Sequence, residues 1–77
     1  MFSIEKFLHY NGLSFKVLRS NDWETVVECN DVRIVSAVRI NKKTIGDCLV
    51  SKNWIDGQYV NDSDLVDTLI ETLNLNA

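Results

Sequence analysis

Apolar and polar residues alternate along residues 23–40, and this pattern predicts two strands paired as a hairpin. A two-residue turn at Asn30-Asp31 places Val27 opposite Ile34 in an antiparallel pair. Residues directly opposite each other share a face of the sheet, so this register produces one apolar face and a second face whose apolar centre has charged ends. A shift by one residue would mix the two faces, so the pattern favours this register over its neighbours.

The same alternation continues on the N-terminal side of the hairpin, where residues 13–19 read as a further strand. A three-residue turn over residues 20–22 sets Phe15 opposite Val27 and Leu13 opposite Cys29. Residues 32–40 form the third strand. Together these segments predict an antiparallel meander.

Helical spacing appears at both ends of the chain. Ser3 is suited to cap a helix over residues 4–11, and Gly12 is suited to end it. A C-terminal amphipathic helix begins at residues 61–63, and acidic residues crowd its first turn, where the helix dipole favours them. Its apolar stripe consists of Leu65, Val66, Leu69, Ile70 and Leu73.

Residues 41–60 allow two interpretations. Thr44 can cap a short extra helix at about residues 44–53, or a turn at Asn41-Lys42 can lead into a fourth strand. Gly57 marks a turn in either case. The chain is therefore expected to form a single small α+β domain over residues 1–77, with a three- to four-stranded antiparallel sheet flanked by an N-terminal and a C-terminal helix.

The charge of the chain is unevenly distributed. Its 77 residues carry a net charge of −3, with 45% hydrophobic and 25% charged residues, which is ordinary for a globular domain. Residues 1–53 hold eight basic and six acidic residues, whereas residues 54–77 hold five acidic residues and no basic one. The C-terminal third is thus a local source of negative charge.

Motifs for catalysis or for metal binding are not visible in the sequence. His9 is the single histidine, Cys29 and Cys48 lack metal-ligand spacing, and the three glycines never cluster into a phosphate-binding loop. These features predict a protein without enzymatic activity, cofactor or metal. The sequence leaves open whether Cys29 and Cys48 are bridged.

No signal-peptide pattern is evident at the N-terminus, and no apolar run reaches the ~18 residues of a membrane span. We therefore expect a cytoplasmic protein without membrane contact.

The charged and apolar side of the sheet is the main candidate site. It faces away from Val27 and Ile34, and its apolar centre and charged rim are typical of a protein–protein contact. The predicted interface consists of Lys16, Leu18, Glu24, Val26, Glu28, Arg33, Val35, Ala37 and Arg39. A second candidate is an acidic set around the last helix, comprising Asp56, Asp62, Asp64, Asp67 and Glu71.

These surfaces predict a small acidic module that inhibits or regulates a larger protein partner, as phage-encoded host inhibitors such as anti-CRISPR proteins or nucleic-acid mimics do. The alternative is a structural homodimer that uses the outer side of the sheet. The order of helices and strands also resembles that of double-stranded RNA-binding domains. In that family a basic cluster opens the last helix, but Asp62-Ser63-Asp64 stand there in this chain, so nucleic acid is not the expected partner.

Overall fold

The computed structural model of the chain describes residues 3–41 and 48–75. Its strands form one antiparallel sheet in which spatial order follows chain order from β1 to β5. Helices stand before and after this meander, so the predicted α+β class with flanking helices is confirmed. The elements are α1 (Ile4–Tyr10), β1 (Lys16–Ser20), β2 (Glu24–Cys29), β3 (Val32–Asn41), β4 (Cys48–Ile55), β5 (Gln58–Val60) and α2 (Asp62–Thr72).

The hairpin of β2 and β3 has the predicted register. Val27 pairs with Ile34, and Val26 pairs with Val35. Asn30 and Asp31 both have left-handed backbone angles, with φ of 51° and 65°. Two consecutive left-handed residues match the right-handed twist of the adjoining strands, which explains why this turn can hold the pair in register.

Residues 48–53 correct the expectation of a short extra helix at about 44–53. They lie in β4, which pairs with β3 from Asn41↔Cys48 to Ile34↔Ile55. Another left-handed pair, Asp56 (φ 53°) and Gly57 (φ 82°), then returns the chain into β5. The described sheet therefore has five strands, not three or four. Residues 42–47 lie outside the described residues. They include Lys42 of the proposed Asn41-Lys42 turn and the proposed helix cap Thr44.

The first strand is shorter and differently registered than predicted. Val17, not Phe15, pairs with Val27, and a β-bulge follows between Val17 and Arg19. The turn before β2 lies over residues 21–23, one position later than expected, and the Asn21 side chain orders it: Asn21 Oδ1 accepts hydrogen bonds from the N–H groups of Trp23 and Glu24, each 2.9 Å long. Such a side-chain turn takes the place of a glycine.

Each helix ends in the same hydrogen-bond motif. The Leu13 N–H donates to the Leu8 carbonyl and the Gly12 N–H donates to the His9 carbonyl, each at 3.0 Å, with Gly12 left-handed at φ 69°. After α2, Asn74 adopts the left-handed conformation that Gly12 adopts after α1. At the start of α1, Ser3 Oγ accepts from the Lys6 N–H at 3.3 Å, so the predicted cap is confirmed.

Both helices of the described chain pack on one side of the sheet, which we call the core face. Val27 and Ile34 lie there with no solvent exposure, as their alternation predicts. The core consists of Ile4, Leu8, Val27, Cys29, Ile34, Ile55, Leu65, Leu69 and Leu73. Phe15 and Leu13 pack against this core from outside any strand. The opposite side of the sheet, the outer face, has no helix of the described chain on it.

The apolar stripe of α2 is narrower than predicted. Leu65, Leu69 and Leu73 are buried, whereas Val66 and Ile70 are more than a third exposed. Residues at i, i+4 and i+8 form a narrow strip along one side of a helix. A strip of this width is sufficient for a helix that packs against a single sheet. Val66 and Ile70 lie beyond that contact.

A polar bond fastens the start of α2 to the sheet. Asn53 in β4 is 1% exposed and is the buried polar residue of the described chain. Its Nδ2 donates to Asp62 Oδ1 at 2.6 Å. A buried amide without a partner is costly, so this contact fixes where α2 meets β4.

We expect Asp62→Ala to lower the free energy of unfolding by about 1–3 kcal/mol, since it leaves the buried Asn53 amide without its acceptor. Asp62→Asn retains an acceptor oxygen and should lose less. Urea unfolding measures both. Asp64→Ala is the matched control, because Asp64 is an exposed acid of the same helical turn; a loss at Asp64 equal to that at Asp62 would contradict the role of the bond.

Cys29 is a free thiol in the core, 1% exposed, as its place in the alternation predicts. Burial raises the pKa of this thiol because the apolar surroundings disfavour the thiolate. The folded state therefore holds its proton more tightly than the unfolded chain does.

The stability due to the neutral Cys29 thiol should be fully present below the unfolded pKa of about 8.5 and should be lost as the pH rises towards the folded pKa. In that window the free energy of unfolding of the wild type should fall relative to Cys29→Ala by up to about 1.4 kcal/mol per pH unit. Chemical unfolding at several pH values from neutral to alkaline measures this difference. A constant difference would show that the thiol does not titrate as its burial implies.

Candidate functional site

A row of side chains crosses the outer face from one edge of the sheet to the other. The pairing registers link these residues strand by strand, from β1 to β5. This central row consists of Arg19, Val26, Val35, Trp54 and Tyr59. Four of its five members are apolar or aromatic, and they lie on the side that the helices leave open.

The aromatic end of the central row is a packed pair. The rings of Trp54 and Tyr59 lie edge to face, with centroids 5.9 Å apart and an interplanar angle of 67°. This geometry is favourable for aromatic side chains. Tyr59 is nevertheless 53% exposed, so the pair presents a large apolar surface at the β5 edge.

The bulge in β1 brings Leu18 to the aliphatic end of the row. Leu18 is the extra residue between the paired Val17 and Arg19, and it is 42% exposed. A shallow depression of about 370 Å³ lies over this end of the outer face. Its lining is Leu18, Arg19, Glu24, Val26, Arg33 and Val35.

Charged residues flank the central row on both sides. On one side Glu28 pairs with Lys16 in β1 and with Arg33 in β3. On the other side, Glu24 and Lys52 stand two strands apart, each paired with the small Ala37 of β3. The Arg19 guanidinium donates to Glu24 Oε1 at 3.1 Å across the end of the row. Each carboxylate thus has a basic residue beside it.

The structure places the predicted interface residues that it describes on one face of the sheet, but one of them, Ala37, is buried. Ala37 is 1% exposed, although its register places it on the outer face. Its methyl group is short, and the long side chains of Glu24 and Lys52 stand on either side of it. Arg39 pairs with Val50 of β4. The other predicted residues occupy outer-face positions in β1, β2 and β3.

Sequence reasoning missed Trp54 and Tyr59, which supply the largest side chains of the outer face. The signal was present in Asp56-Gly57, a dipeptide that strongly favours a two-residue hairpin turn. Such a turn pairs Ile55 with Gln58 and therefore Trp54 with Tyr59. The interpretation of residues 44–53 as a short helix obscured this pairing.

The acidic set does not share a surface with the predicted interface. Asp64, Asp67 and Glu71 are exposed on α2, which packs on the core face. Asp62 is held by Asn53, and Asp56 lies in the turn between β4 and β5. The sheet separates α2 from the outer face. A single flat contact therefore cannot combine both surfaces.

Groups suited to hold a metal ion, formed by three or more His, Cys, Asp or Glu residues, are not found within residues 3–41 and 48–75. His9 is exposed on α1 with its ring 6.4 Å from that of Tyr10. A smaller cleft of about 180 Å³ lies between the start of α1 and the turn that precedes β2. Across the described part of the chain, no helix has both the length and the apolar character needed to cross a membrane.

Comparisons with protein-family models, with curated proteins and with solved structures find no match to this chain. The site is therefore interpreted from its own residues.

Because Val35 lies on the outer face and Ile34 on the core face, the same substitution should have opposite outcomes at these neighbours. We expect Val35→Glu to remain folded with a loss of about 1 kcal/mol or less, typical of a surface change. Ile34→Glu should unfold the domain, since a buried unpaired charge costs several kcal/mol. Circular dichroism and urea unfolding measure both; an unfolded Val35→Glu variant would mean that the outer face is covered.

Proposed function

We propose that this chain is a small non-enzymatic protein-binding module whose contact surface is the outer face of its sheet. The observation that carries the proposal is the uncovered central row, in which valine, tryptophan and tyrosine side chains continue across four adjacent strands, β2 to β5. A contiguous apolar strip on one face of a small domain is typical of an interaction site.

The composition of the outer face supports protein as the partner. Protein interfaces have an apolar, aromatic centre and a polar rim, and tyrosine, tryptophan and arginine are enriched in them. Trp54, Tyr59 and Arg19 stand in the central row, and charged residues stand beyond it.

The mechanism of such a module is steric. A rigid sheet seated on a larger protein excludes other ligands of that surface, which amounts to inhibition or regulation of the larger protein. The acidic α2 lies on the other side of the sheet. Its negative charge can attract a second partner or increase the solubility of the complex. The compartment proposed for this activity is the cytoplasm, where the buried Cys29 stays reduced.

Tyr59→Ala tests the proposal, and Tyr10→Ala is its matched control. Both tyrosines are exposed, at 53% and 85%, but Tyr10 lies on α1, away from the outer face. The wild type and the variants are immobilised, and their affinity for a protein partner captured from solution is compared. We expect Tyr59→Ala to bind that partner at least about tenfold more weakly than the wild type, as is typical when a hot-spot aromatic residue is removed. Tyr10→Ala should capture it as the wild type does. Equal capture by all three proteins would remove the outer face from the mechanism.

A further inference from the structure

We propose that Asn11 is a site of spontaneous deamidation, and that the hydrogen-bonded end of α1 controls how fast this modification occurs. The inference is independent of the outer face and of the proposed function. Eight asparagines occur in the chain, and Asn11 is the one that a glycine follows. Asparagine is a thermolabile residue. It loses its side-chain amide most readily before glycine, because glycine has no side chain to shield its backbone nitrogen.

The reaction needs only water as a co-reactant. The backbone nitrogen of Gly12 attacks Cγ of Asn11, so that an N–Cγ bond forms and the Cγ–Nδ2 bond breaks. The proton of the Gly12 N–H passes to the departing nitrogen, which leaves as ammonia, and a succinimide ring remains. Water then adds to one of the ring carbonyl carbons and opens the ring, which gives aspartate or isoaspartate at this position. No oxidant or reductant takes part.

The folded end of α1 holds the nucleophile away from its target. Asn11 has a ψ of 8°, so the Gly12 nitrogen is eclipsed with the backbone nitrogen of Asn11. Ring closure requires that it be eclipsed with Cβ instead, which takes a large rotation about ψ. The Gly12 N–H also donates to the His9 carbonyl at 3.0 Å. Asn11 Nδ2 donates to the Phe7 carbonyl at 2.8 Å. Both reacting groups are therefore restrained while α1 is intact.

This restraint can open without unfolding of the whole domain. α1 has seven residues, a length at which a helix is marginal without tertiary packing. Its buried residues are Ile4 and Leu8, whereas residues 9–12 are exposed. A Cβ built on Gly12 would meet nothing within 4 Å, so no packed neighbour opposes the rotation. Exposed helix ends of this kind open at a low free-energy cost, and the open state is the one that reacts.

Deamidation would remove the restraint that delays it. A carboxylate at position 11 cannot donate to the Phe7 carbonyl, and the helix dipole disfavours an anion at the C-terminal end of α1. Isoaspartate also adds a methylene group to the backbone, which displaces the Leu13 N–H from the Leu8 carbonyl. Because α1 contributes Ile4 and Leu8 to the core, the modified chain should be less stable than the original one.

Peptide mapping by mass spectrometry tests the site and the control of its rate. The wild type is incubated at mildly alkaline pH, once folded and once in guanidinium chloride, where α1 is lost. We expect deamidation at Asn11 in both samples, and at least about tenfold faster in the denatured one. Asn74 is the internal reference, because it is also exposed and left-handed after a helix but is followed by leucine. It should react more slowly than Asn11 in both samples.

Ser3→Ala separates opening of α1 from unfolding of the domain. It removes the hydrogen bond from the Lys6 N–H to Ser3 Oγ and so weakens α1 at its other end. We expect folded Ser3→Ala to lose the Asn11 amide about threefold or more faster than the wild type. Ser63→Ala is the matched control, since Ser63 is an exposed serine of α2. It should react at the wild-type rate.

The consequence for the fold is tested by Asn11→Asp and Asn61→Asp, which make the same amide-to-carboxylate change at opposite helix ends. Asn11→Asp should lower the midpoint of urea unfolding. Asn61 is the N-cap of α2 and makes no side-chain cap hydrogen bond. Asn61→Asp should leave the midpoint unchanged, because asparagine and aspartate are similar N-caps.

Equal rates in the folded and denatured samples would overturn the control by α1, and so would a Ser3→Ala variant that reacts at the wild-type rate. Faster loss of the amide at Asn74 or at any other asparagine would overturn the site. Absence of product at Asn11 in the denatured sample would do the same. Slow deamidation at Asn11 in the folded wild type, accelerated by Ser3→Ala and not by Ser63→Ala, supports the proposal.

Discussion

The register of the β2–β3 hairpin is the constraint on which the rest of the structure depends. Asn30 and Asp31 adopt left-handed angles in succession, and this turn pairs Val27 with Ile34. The parity of that one pair decides the face of every residue in the central strands, because side chains alternate. The core face and the outer face follow from it, and so does the surface on which both helices can pack.

The fold is therefore two-sided in its chemistry as well as in its shape. The core face holds a fully buried cluster, to which α1 and α2 contribute leucine and isoleucine, and Asn53 ties α2 to β4. The outer face holds an apolar row between charged residues. A domain of this size buries a modest fraction of its surface, so covering the second face by association would add stability that a single core does not supply.

Local sequence signals were sufficient to predict the structure wherever a residue type strongly favours one backbone conformation. Ser3 capped its helix, Gly12 ended it, and the alternation through β2 and β3 separated the core face from the outer face as predicted. The predicted interface residues of β2 and β3 accordingly share one side of the sheet. Its composition was incomplete, because β4 and β5 carry short apolar runs that satisfy helical and strand spacing equally well. The Asp56-Gly57 turn resolves that ambiguity.

By itself, the sequence determined the class of the fold, the central hairpin with its register, and the two helix boundaries that Ser3 and Gly12 define. Tertiary structure decided the register of β1, where the turn ordered by the Asn21 side chain lies one position later than predicted and a bulge follows Val17. It also decided that α2 lies across the sheet from the predicted interface. The reason is physical: turn and cap preferences act over a few residues, whereas strand neighbours and the side on which a helix packs are set by burial among residues distant in the chain.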